Sequence, residues 1–444
     1  MARELFGTDG IRGRALEWPL DEPTLRRLGV ALVRLMANGD PEPCFLIGGD
    51  TRASTETLAD WLSVGIRAAG GSVTWGGVLP TPAVSHLLRV GSFTAGIVIS
   101  ASHNPPEDNG VKVLSSGGEK ISETFEELLE DELKRAQATN GPGLPPVREG
   151  LISQYRDRVL ETLKDPRPLD GLHLVLDAAN GAGSGLADEI LETLGADVTS
   201  IASTPDGTNI NLNVGAASPQ KLAQAVLRLG ADGGLALDGD ADRAVLIDEK
   251  GRILDGDDLL LAWAKNLHNR GRLPDNKIVA TVMSNFGLET GLAAEGIDLV
   301  RCSVGDRAVW ETMVRCGAAL GGEQSGHIIC SHLSVTGDGL LTGTQILALA
   351  AKSGRPLSEL CNLQRLPQVL INVKVGRSRP FEEIPEVRNL LQSIEASLMG
   401  TGRVLLRYSG TEPLARVMLE GENEAQINAL AEELAEAIKR ALPE

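Results

Sequence analysis

Gly234-Leu-Ala-Leu237, Asp238-Gly-Asp-Ala-Asp-Arg243 and Ala244-Val-Leu-Ile-Asp248 follow one another without a break. They read as a strand, an acidic loop and a second strand. The same order recurs on both sides. Ala95–Ile99 precedes the polar loop Ser100–Asn109, and Gly317–Leu320 precedes the polar loop Gly321–His327. Upstream of each lies a strand, a loop, an amphipathic helix and another strand. The first set is Phe45–Asp50, a helix around Thr57–Ala69 and Ser72–Trp75. The second is His173–Asp177, Leu186–Leu194 and Asp197–Ile201, and the third is Lys277–Val282, Leu288–Glu295 and Asp298–Arg301. Short apolar runs bounded by glycine and alternating with helical patterns predict βαβ units and largely parallel sheets. The three polar loops then occupy equivalent places in three copies of one plan. Loops beyond the carboxyl ends of strands are where open α/β sheets bind ligands, so the loops are expected to converge.

After about Leu366 the plan changes. Val369–Val375 and Arg403–Arg407 read as strands, with helices at Pro385–Leu398 and Glu424–Ala441. Boundaries fall near Asn140–Pro146, Leu254–Asp258 and Leu366–Gln368, where glycine, proline or polar residues interrupt the pattern. The expected fold is α/β: three similar α/β domains with mixed, mainly parallel sheets, plus a smaller C-terminal α+β domain around a central cleft. The expected domains are residues 1–145, 146–255, 256–367 and 368–444.

A chain of 444 residues exceeds what one core usually holds. Its 42% hydrophobic and 23% charged content is that of a globular protein. No apolar run is long enough for a membrane span, and Met1–Leu5 has no leader-like stretch. Five scattered cysteines without C-x-x-C spacing fit reduced thiols in a cytoplasm and argue against zinc or a disulfide framework. A net charge of −18 and only 3% aromatic residues argue against nucleic acid and anionic membrane as partners. An anionic small substrate needs local cationic loops or a metal.

The loops supply both. Asp238, Asp240 and Asp242 alternate directly after a strand and offer closely spaced oxygens to a hard cation such as Mg²⁺. The spacing resembles the start of an EF-hand, but Arg243 occupies the position that needs glycine there. Gly239 and Ala241 keep the turn small; Gly239 can take a positive φ at low cost, whereas Ala241 is expected to fit only with a negative one. Arg243 can pair with the carboxylates or grip phosphate. Ser102 is followed by His103, an acid–base or phosphate-contacting group, with Lys112 a short hairpin away. A serine near a cation loop and basic residues suggests phosphoryl transfer, where positioning and charge neutralisation supply most of the rate. Gly322-Glu-Gln-Ser-Gly-His327 offers an acid, an amide, a hydroxyl and an imidazole suited to sugar hydroxyls. Arg407-Tyr-Ser-Gly-Thr-Glu-Pro-Leu-Ala-Arg416 offers two guanidiniums and two hydroxyls, a phosphate cradle.

Taken in this order, with Phe6-Gly-Thr-Asp-Gly-Ile-Arg-Gly13 at the start, these loops resemble the α-D-phosphohexomutase superfamily across essentially the whole chain. Within it they look most like the phosphoglucosamine mutase branch. The resemblance implies that Ser102 carries a covalent phosphate and that Asp238, Asp240, Asp242 and a phosphate oxygen on Ser102 coordinate one Mg²⁺ per chain. It implies an interconversion of glucosamine 6-phosphate and glucosamine 1-phosphate through a bound sugar bisphosphate. Arg12, His103, Asn104 and Lys112 would surround the transferring phosphate, with Lys112 or His103 as acid–base group. Glu323 and Ser325, with His327 in the same loop, would hold the sugar. Arg407, Ser409, Gly410, Thr411 and Arg416 would hold the phosphate that is not reacting. A homodimer is left open.

Three positions depart from the family pattern. Alanine at 241 replaces a common glycine, Ala216-Ala217 stands where a hydroxyl-bearing residue is usual, and Ala308 follows Gly305-Asp306-Arg307 where an aromatic is common, with Trp310 two residues on. None removes a catalytic group, but the last two bear on sugar selectivity, so a phosphoglucomutase or phosphomannomutase of the same superfamily is the nearest alternative. A non-catalytic sugar-phosphate regulator would be expected to lack a catalytic group, and none is lost. Asn180-Gly-Ala-Gly-Ser-Gly185 follows a strand but misses the third glycine of a dinucleotide fingerprint.

Overall fold

The structure is a computed structural model describing residues 5–7, 9–138, 140–376, 379–409 and 413–443. Two compact units emerge: Met1–Thr281 with Val300–Asn362, and Val282–Leu299 with Leu363–Glu444. Among the described residues no helix is long and apolar enough to cross a membrane.

The first sheet holds β1 (Phe6–Gly7), β2 (Gly10–Arg14), β3 (Cys44–Gly49), β4 (Ser72–Val78), β5 (Ala95–Ile99) and β6 (Asp108–Ser115) in the order β1-β2-β6-β5-β3-β4. The second holds β7 (His173–Asp177), β8 (Asp197–Ile201), β9 (Gly233–Leu237), β10 (Ala244–Asp248) and β11 (Ile253–Leu254), ordered β11-β10-β9-β7-β8. The third holds β12 (Lys277–Thr281), β13 (Asp298–Cys302), β14 (Leu320–Gly322) and β15 (Ile328–Cys330), ordered β13-β12-β14-β15.

The repeat is explicit in these orders: β4-β3-β5-β6, β8-β7-β9-β10 and β13-β12-β14-β15 share one arrangement. The third strand of each runs parallel to the first, and the fourth turns back antiparallel to it. Every residue of β5 and of β9 is buried, as expected for strands flanked on both sides and covered on both faces. That is why both read as continuous apolar runs rather than alternating ones. The third copy starts later than its sequence suggests. Gly317 takes a left-handed φ that ends the helix Asp306–Cys316, so the strand begins at Leu320.

Helices cover the sheets through the usual signals. Glu22–Met36 is capped by Asp21, whose side chain accepts from the Thr24 amide, and it buries Leu25, Leu28 and Leu32 on one face. These join Phe45, Ile47, Leu58 and Leu62 in the core of the first repeat.

In the second unit, β16 (Gln368–Lys374), β17 (Gly402–Tyr408) and β18 (Leu414–Gly421) form an antiparallel sheet ordered β16-β18-β17. The helices Pro385–Ser397 and Glu424–Ala441 bury Val387, Ile394, Leu434 and Ile438 in the same core as Val373, Val417 and Leu419. This is the smaller α+β domain that the change of pattern after Leu366 predicts.

Candidate active site

Each of the three polar loops forms the tip of the antiparallel hairpin that closes its repeat. In the first, Ser102 is 1% exposed and has φ +51°, in the left-handed region. Such a conformation costs about 1–3 kcal/mol and persists only where the surroundings fix it. Here the fixing is dense. The buried Arg52 guanidinium donates to the carbonyls of Ser102 (3.1 Å), Asn104 (2.9 Å) and Asp108 (2.8 Å). Asn211 Nδ2 donates to the carbonyls of Ser102 (2.8 Å) and Asn104 (3.0 Å). The Ser102 amide donates to Ser100 Oγ (2.9 Å), and Ser100 Oγ donates in turn to Asp50 (2.6 Å).

The acidic loop meets this serine directly. Ser102 Oγ donates to Asp238 Oδ2 at 2.6 Å. Carboxylate oxygens of Asp238, Asp240 and Asp242 lie within 4.8 Å of one another, and all three residues are buried. Gly239 does not use a positive φ; its role is close approach, because a Cβ there would come within 2.5 Å of the Ser102 carbonyl. Ala241 takes φ +56°, against the expected negative value. Its amide donates to the Asp238 carbonyl (3.0 Å) and its carbonyl accepts from the Gly339 amide (3.0 Å), so two backbone bonds hold the strained turn.

Burial, with Asp242 and Asp240 nearby, pushes the Asp238 carboxyl up to about 8. Burial also opposes the Asp242 charge, but Lys112, His327 and Arg243 outweigh it and hold that group well below the usual range. Asp240 Oδ1 and Asp242 Oδ1 are buried without a hydrogen-bond partner. Buried carboxylate oxygens rarely stay unsatisfied. An oxygen-rich cluster with free lone pairs fits a small hard cation.

Cations ring the same point. Lys112, on β6 and 1% exposed, places Nζ 2.8 Å from Asp240 Oδ2 and 3.4 Å from Asp242 Oδ2. Burial works against its charge, yet Asp240, Asp9 and Asp242 prevail and raise its pKa. Arg12, on β2, donates to Asn104 Oδ1 at 3.1 Å and pairs with Asp9. Arg243 Nε sits 3.8 Å from both Asp238 and Asp242. The Nε atoms of Arg12 and Arg243 are buried with no hydrogen-bond partner. His103 Nδ1 lies 3.3 Å from Ser102 Oγ, and burial, with Arg243 and Arg12 close by, lowers its pKa to about 4.

The third loop joins them. His327 is 3% exposed, with Nδ1 3.5 Å from Asp242 Oδ2 and Nε2 accepting from the Gly337 amide at 3.1 Å. Both ring nitrogens are therefore engaged within the chain. Glu323 Oε1 accepts from the Gly305 amide at 3.0 Å, and Ser325 is exposed. A cavity of about 390 Å³, lined among others by Lys120, Asp306, Trp310 and His327, lies beside the carboxylates rather than over them.

In the second unit Arg407 on β17 stands directly opposite Arg416 on β18. Burial and the facing Arg416 lower the pKa of Arg407. Arg416 Nη2 donates to Ser409 Oγ at 3.4 Å. Gly410 and Thr411 lie outside the described residues.

Several residues at the site have no role in the sequence reading: Asp9, Arg52, Thr81, Lys120, Asn211 and Asp306. Thr81 Oγ1 donates to Asp240 Oδ2 at 2.5 Å. Asp9 and Asp306 stand inside quoted motifs, and Asn211 opens the stretch Asn211-Leu-Asn-Val-Gly215 just before Ala216-Ala217, so a signal existed. Arg52, Thr81 and Lys120 act through contacts more than 50 residues away in sequence, or through backbone carbonyls, and leave no local pattern.

Four consecutive segments match the domains described as phosphoglucomutase/phosphomannomutase alpha/beta/alpha domain I (residues 3–140), domain II (153–251), domain III (255–366) and the C-terminal domain (370–437). A phosphoglucosamine mutase from Solibacter usitatus is 45% identical over 448 residues, covering 100% of both chains. A phosphoglucomutase/phosphomannomutase family protein from Burkholderia thailandensis superposes with a TM-score of 0.82 at 24% identity, over 100% of this chain and 98% of that one. An N-acetylphosphoglucosamine mutase from Aspergillus fumigatus, solved with GlcNAc-6P and magnesium, superposes with a TM-score of 0.63 at 18% identity, over 99% of this chain and 96% of that one. With all four domains matched in order and a full-length relative at this identity, the chain belongs to the phosphoglucomutase/phosphomannomutase family of phosphohexomutases, a class of isomerase.

Proposed function

We propose that this chain interconverts glucosamine 6-phosphate and glucosamine 1-phosphate, the phosphoglucosamine mutase reaction, with the phosphate carried on Ser102 Oγ. The observation that carries the reading is the meeting of Ser102 Oγ with Asp238, beside two buried carboxylate oxygens that lack hydrogen bonds. The full-length Solibacter relative supports the choice of sugar.

In the first half-reaction the Oγ–phosphorus bond of phosphoserine 102 breaks and a sugar hydroxyl oxygen bonds to that phosphorus, giving a bound bisphosphate. As the released Ser102 Oγ takes up a proton to become a hydroxyl again, the sugar hydroxyl proton leaves to a nearby base. His103, within reach of Ser102 Oγ and neutral near pH 7, is the side chain placed to take it. The bisphosphate then turns end for end. Its other phosphate then bonds to Ser102 Oγ, which gives up its proton, and the freed sugar oxygen takes up a proton as the product leaves. A phosphoserine carries about −1.5 to −2 charges and the sugar phosphate a similar load, so their approach is repulsive. Mg²⁺, held by Asp238, Asp240, Asp242 and a phosphate oxygen on Ser102, would supply a fixed positive charge at that point; the magnesium in the Aspergillus complex supports this. Lys112, Arg12 and Arg243 add the protein's own cations, and Asn104 holds Arg12 in place. Glu323 and Ser325 hold sugar hydroxyls, while His327 steadies Asp242. Arg407, Ser409, Gly410, Thr411 and Arg416 grip the resting phosphate.

This divides the labour among residues 1–145 (serine), 146–255 (carboxylates), 256–367 (sugar) and 368–444 (resting phosphate). The test is a set of parallel assays with glucosamine 6-phosphate, glucose 1-phosphate and mannose 1-phosphate, each with Mg²⁺ and glucose 1,6-bisphosphate as activator. The highest kcat/KM is expected for glucosamine 6-phosphate. A higher value for either of the others would make the chain a phosphoglucomutase or phosphomannomutase.

A further inference from the structure

A chain of alternating charges leaves the carboxylate cluster and runs from the first repeat to the third. Asp240 Oδ2 lies 2.8 Å from Lys112 Nζ, which lies 3.2 Å from Asp9 Oδ2. Asp9 also pairs with Arg12 and, through Oδ1, with Lys120; Lys120 in turn pairs with Asp306. Asp306 is the first residue of the helix Asp306–Cys316, where a carboxylate is favoured by the helix dipole. The next residue, Arg307, pairs with the buried Glu126 and so ties that helix end to the first repeat. Lys120 and Asp306 touch none of the three carboxylates and neither Ser102 nor His103, yet their side chains are only 11% and 15% exposed.

We propose that Lys120 and Asp306 are positioning residues for phosphate transfer, acting through Asp9 to hold Lys112 and Arg12 against the reacting phosphate. Asp9 is shared by three cations. Removing the Lys120 ammonium leaves the carboxylates of Asp9 and Asp306 facing each other without the charge between them. Their repulsion draws Asp9 away from Lys112 and Arg12, and both cations lose their outer support. Charges aligned on a transferring phosphoryl group act only if they are fixed in advance, so a small displacement costs rate rather than binding.

The inference rests on the proposed mutase reaction with Ser102 as the phosphate carrier, and the experiment separates the two. Steady-state kinetics of the full chain with glucosamine 6-phosphate, glucose 1,6-bisphosphate and Mg²⁺ are compared for wild type, Lys120→Met, Asp306→Asn and the surface control Lys250→Met. Lys120→Met and Asp306→Asn are each expected to lower kcat about 10- to 100-fold while KM stays within about threefold. Lys250→Met is expected to match wild type. Adding Lys120→Met to Lys112→Met is expected to cost less than Lys120→Met costs in wild type, because the Lys112 branch is already broken and only the support of Arg12 is left to lose. Asp306→Asn keeps the side chain's volume and carries the test alone if Lys120→Met does not fold. A kcat within about twofold of wild type in either folded variant, or full multiplication of losses in the double variant, overturns the inference. Absence of turnover in wild type would instead overturn the proposed phosphoglucosamine mutase reaction on which the inference rests.

Discussion

Ser102 Oγ and Asp238 Oδ2 stand 2.6 Å apart although 136 positions separate them in the chain. A hydroxyl at the tip of the first repeat's hairpin and a carboxylate at the tip of the second's are brought together by two copies of one sheet order. Ser102→Ala removes only that oxygen and leaves the Arg52 and Asn211 bonds to its carbonyl intact. Turnover of glucosamine 6-phosphate is expected to fall by at least about 10³-fold with the melting temperature nearly unchanged. Substantial residual activity in a folded Ser102→Ala protein would remove the serine from the chemistry.

The Arg52 guanidinium and the Asp50 carboxylate are both wholly buried, 2.9 Å apart. Arg52→Met deletes one charge, strands the other and frees the carbonyls of Ser102, Asn104, Pro105 and Asp108. Such a loss typically costs about 3–5 kcal/mol. Urea unfolding should show it as a lower midpoint. A change under about 1 kcal/mol would mean that the serine loop does not depend on this clamp.

Ala241 sits at φ +56°, where an L-residue loses roughly 1–2 kcal/mol relative to its relaxed backbone. Glycine relieves that strain but forfeits a buried methyl and adds freedom to the unfolded chain. Ala241→Gly is therefore expected to leave stability within about 1 kcal/mol, unlike the usual penalty for glycine. A loss above about 2 kcal/mol would show that the turn is not strained as described.

Asp338 accepts hydrogen bonds from Tyr155 Oη (2.8 Å) and the Leu341 amide (2.9 Å), capping the helix Gly339–Ser353. Burial pushes its carboxyl up to about 6. An ordinary aspartate titrates near roughly 4, so between those values the folded chain keeps a proton that the unfolded chain has released. The stability this group contributes is full below about pH 4 and is lost as pH rises through about 6. Asp338→Asn cannot titrate. The stability of wild type relative to Asp338→Asn, measured by denaturant unfolding, should therefore fall between these pH values. A constant difference would contradict the raised value.

The repeats were legible because each strand buried on both faces is a continuous apolar run, as in Ala95–Ile99 and Gly233–Leu237. The third copy's strand begins three residues later than its pattern suggests, because Gly317-Ala-Ala-Leu320 is apolar both as a helix end and as a strand. The acidic loop was legible from its alternating aspartates, but its backbone was not. Whether Gly239 or Ala241 takes the positive φ depends on how closely the Ser102 carbonyl approaches, and that is a tertiary fact. For the same reason Arg52 and Lys120 left no pattern: one serves carbonyls, the other serves Asp9 and Asp306 across two loops.

The most direct measurement is the intact mass of the protein after incubation with glucose 1,6-bisphosphate and Mg²⁺, followed by a chase with glucosamine 6-phosphate. The predicted result is one added phosphate, located on the Ser102 peptide, lost during the chase as glucosamine bisphosphate forms, and never gained by Ser102→Ala. Turnover of the sugar phosphate with no phosphate ever found on Ser102, or with that phosphate left untouched by the chase, would contradict the account.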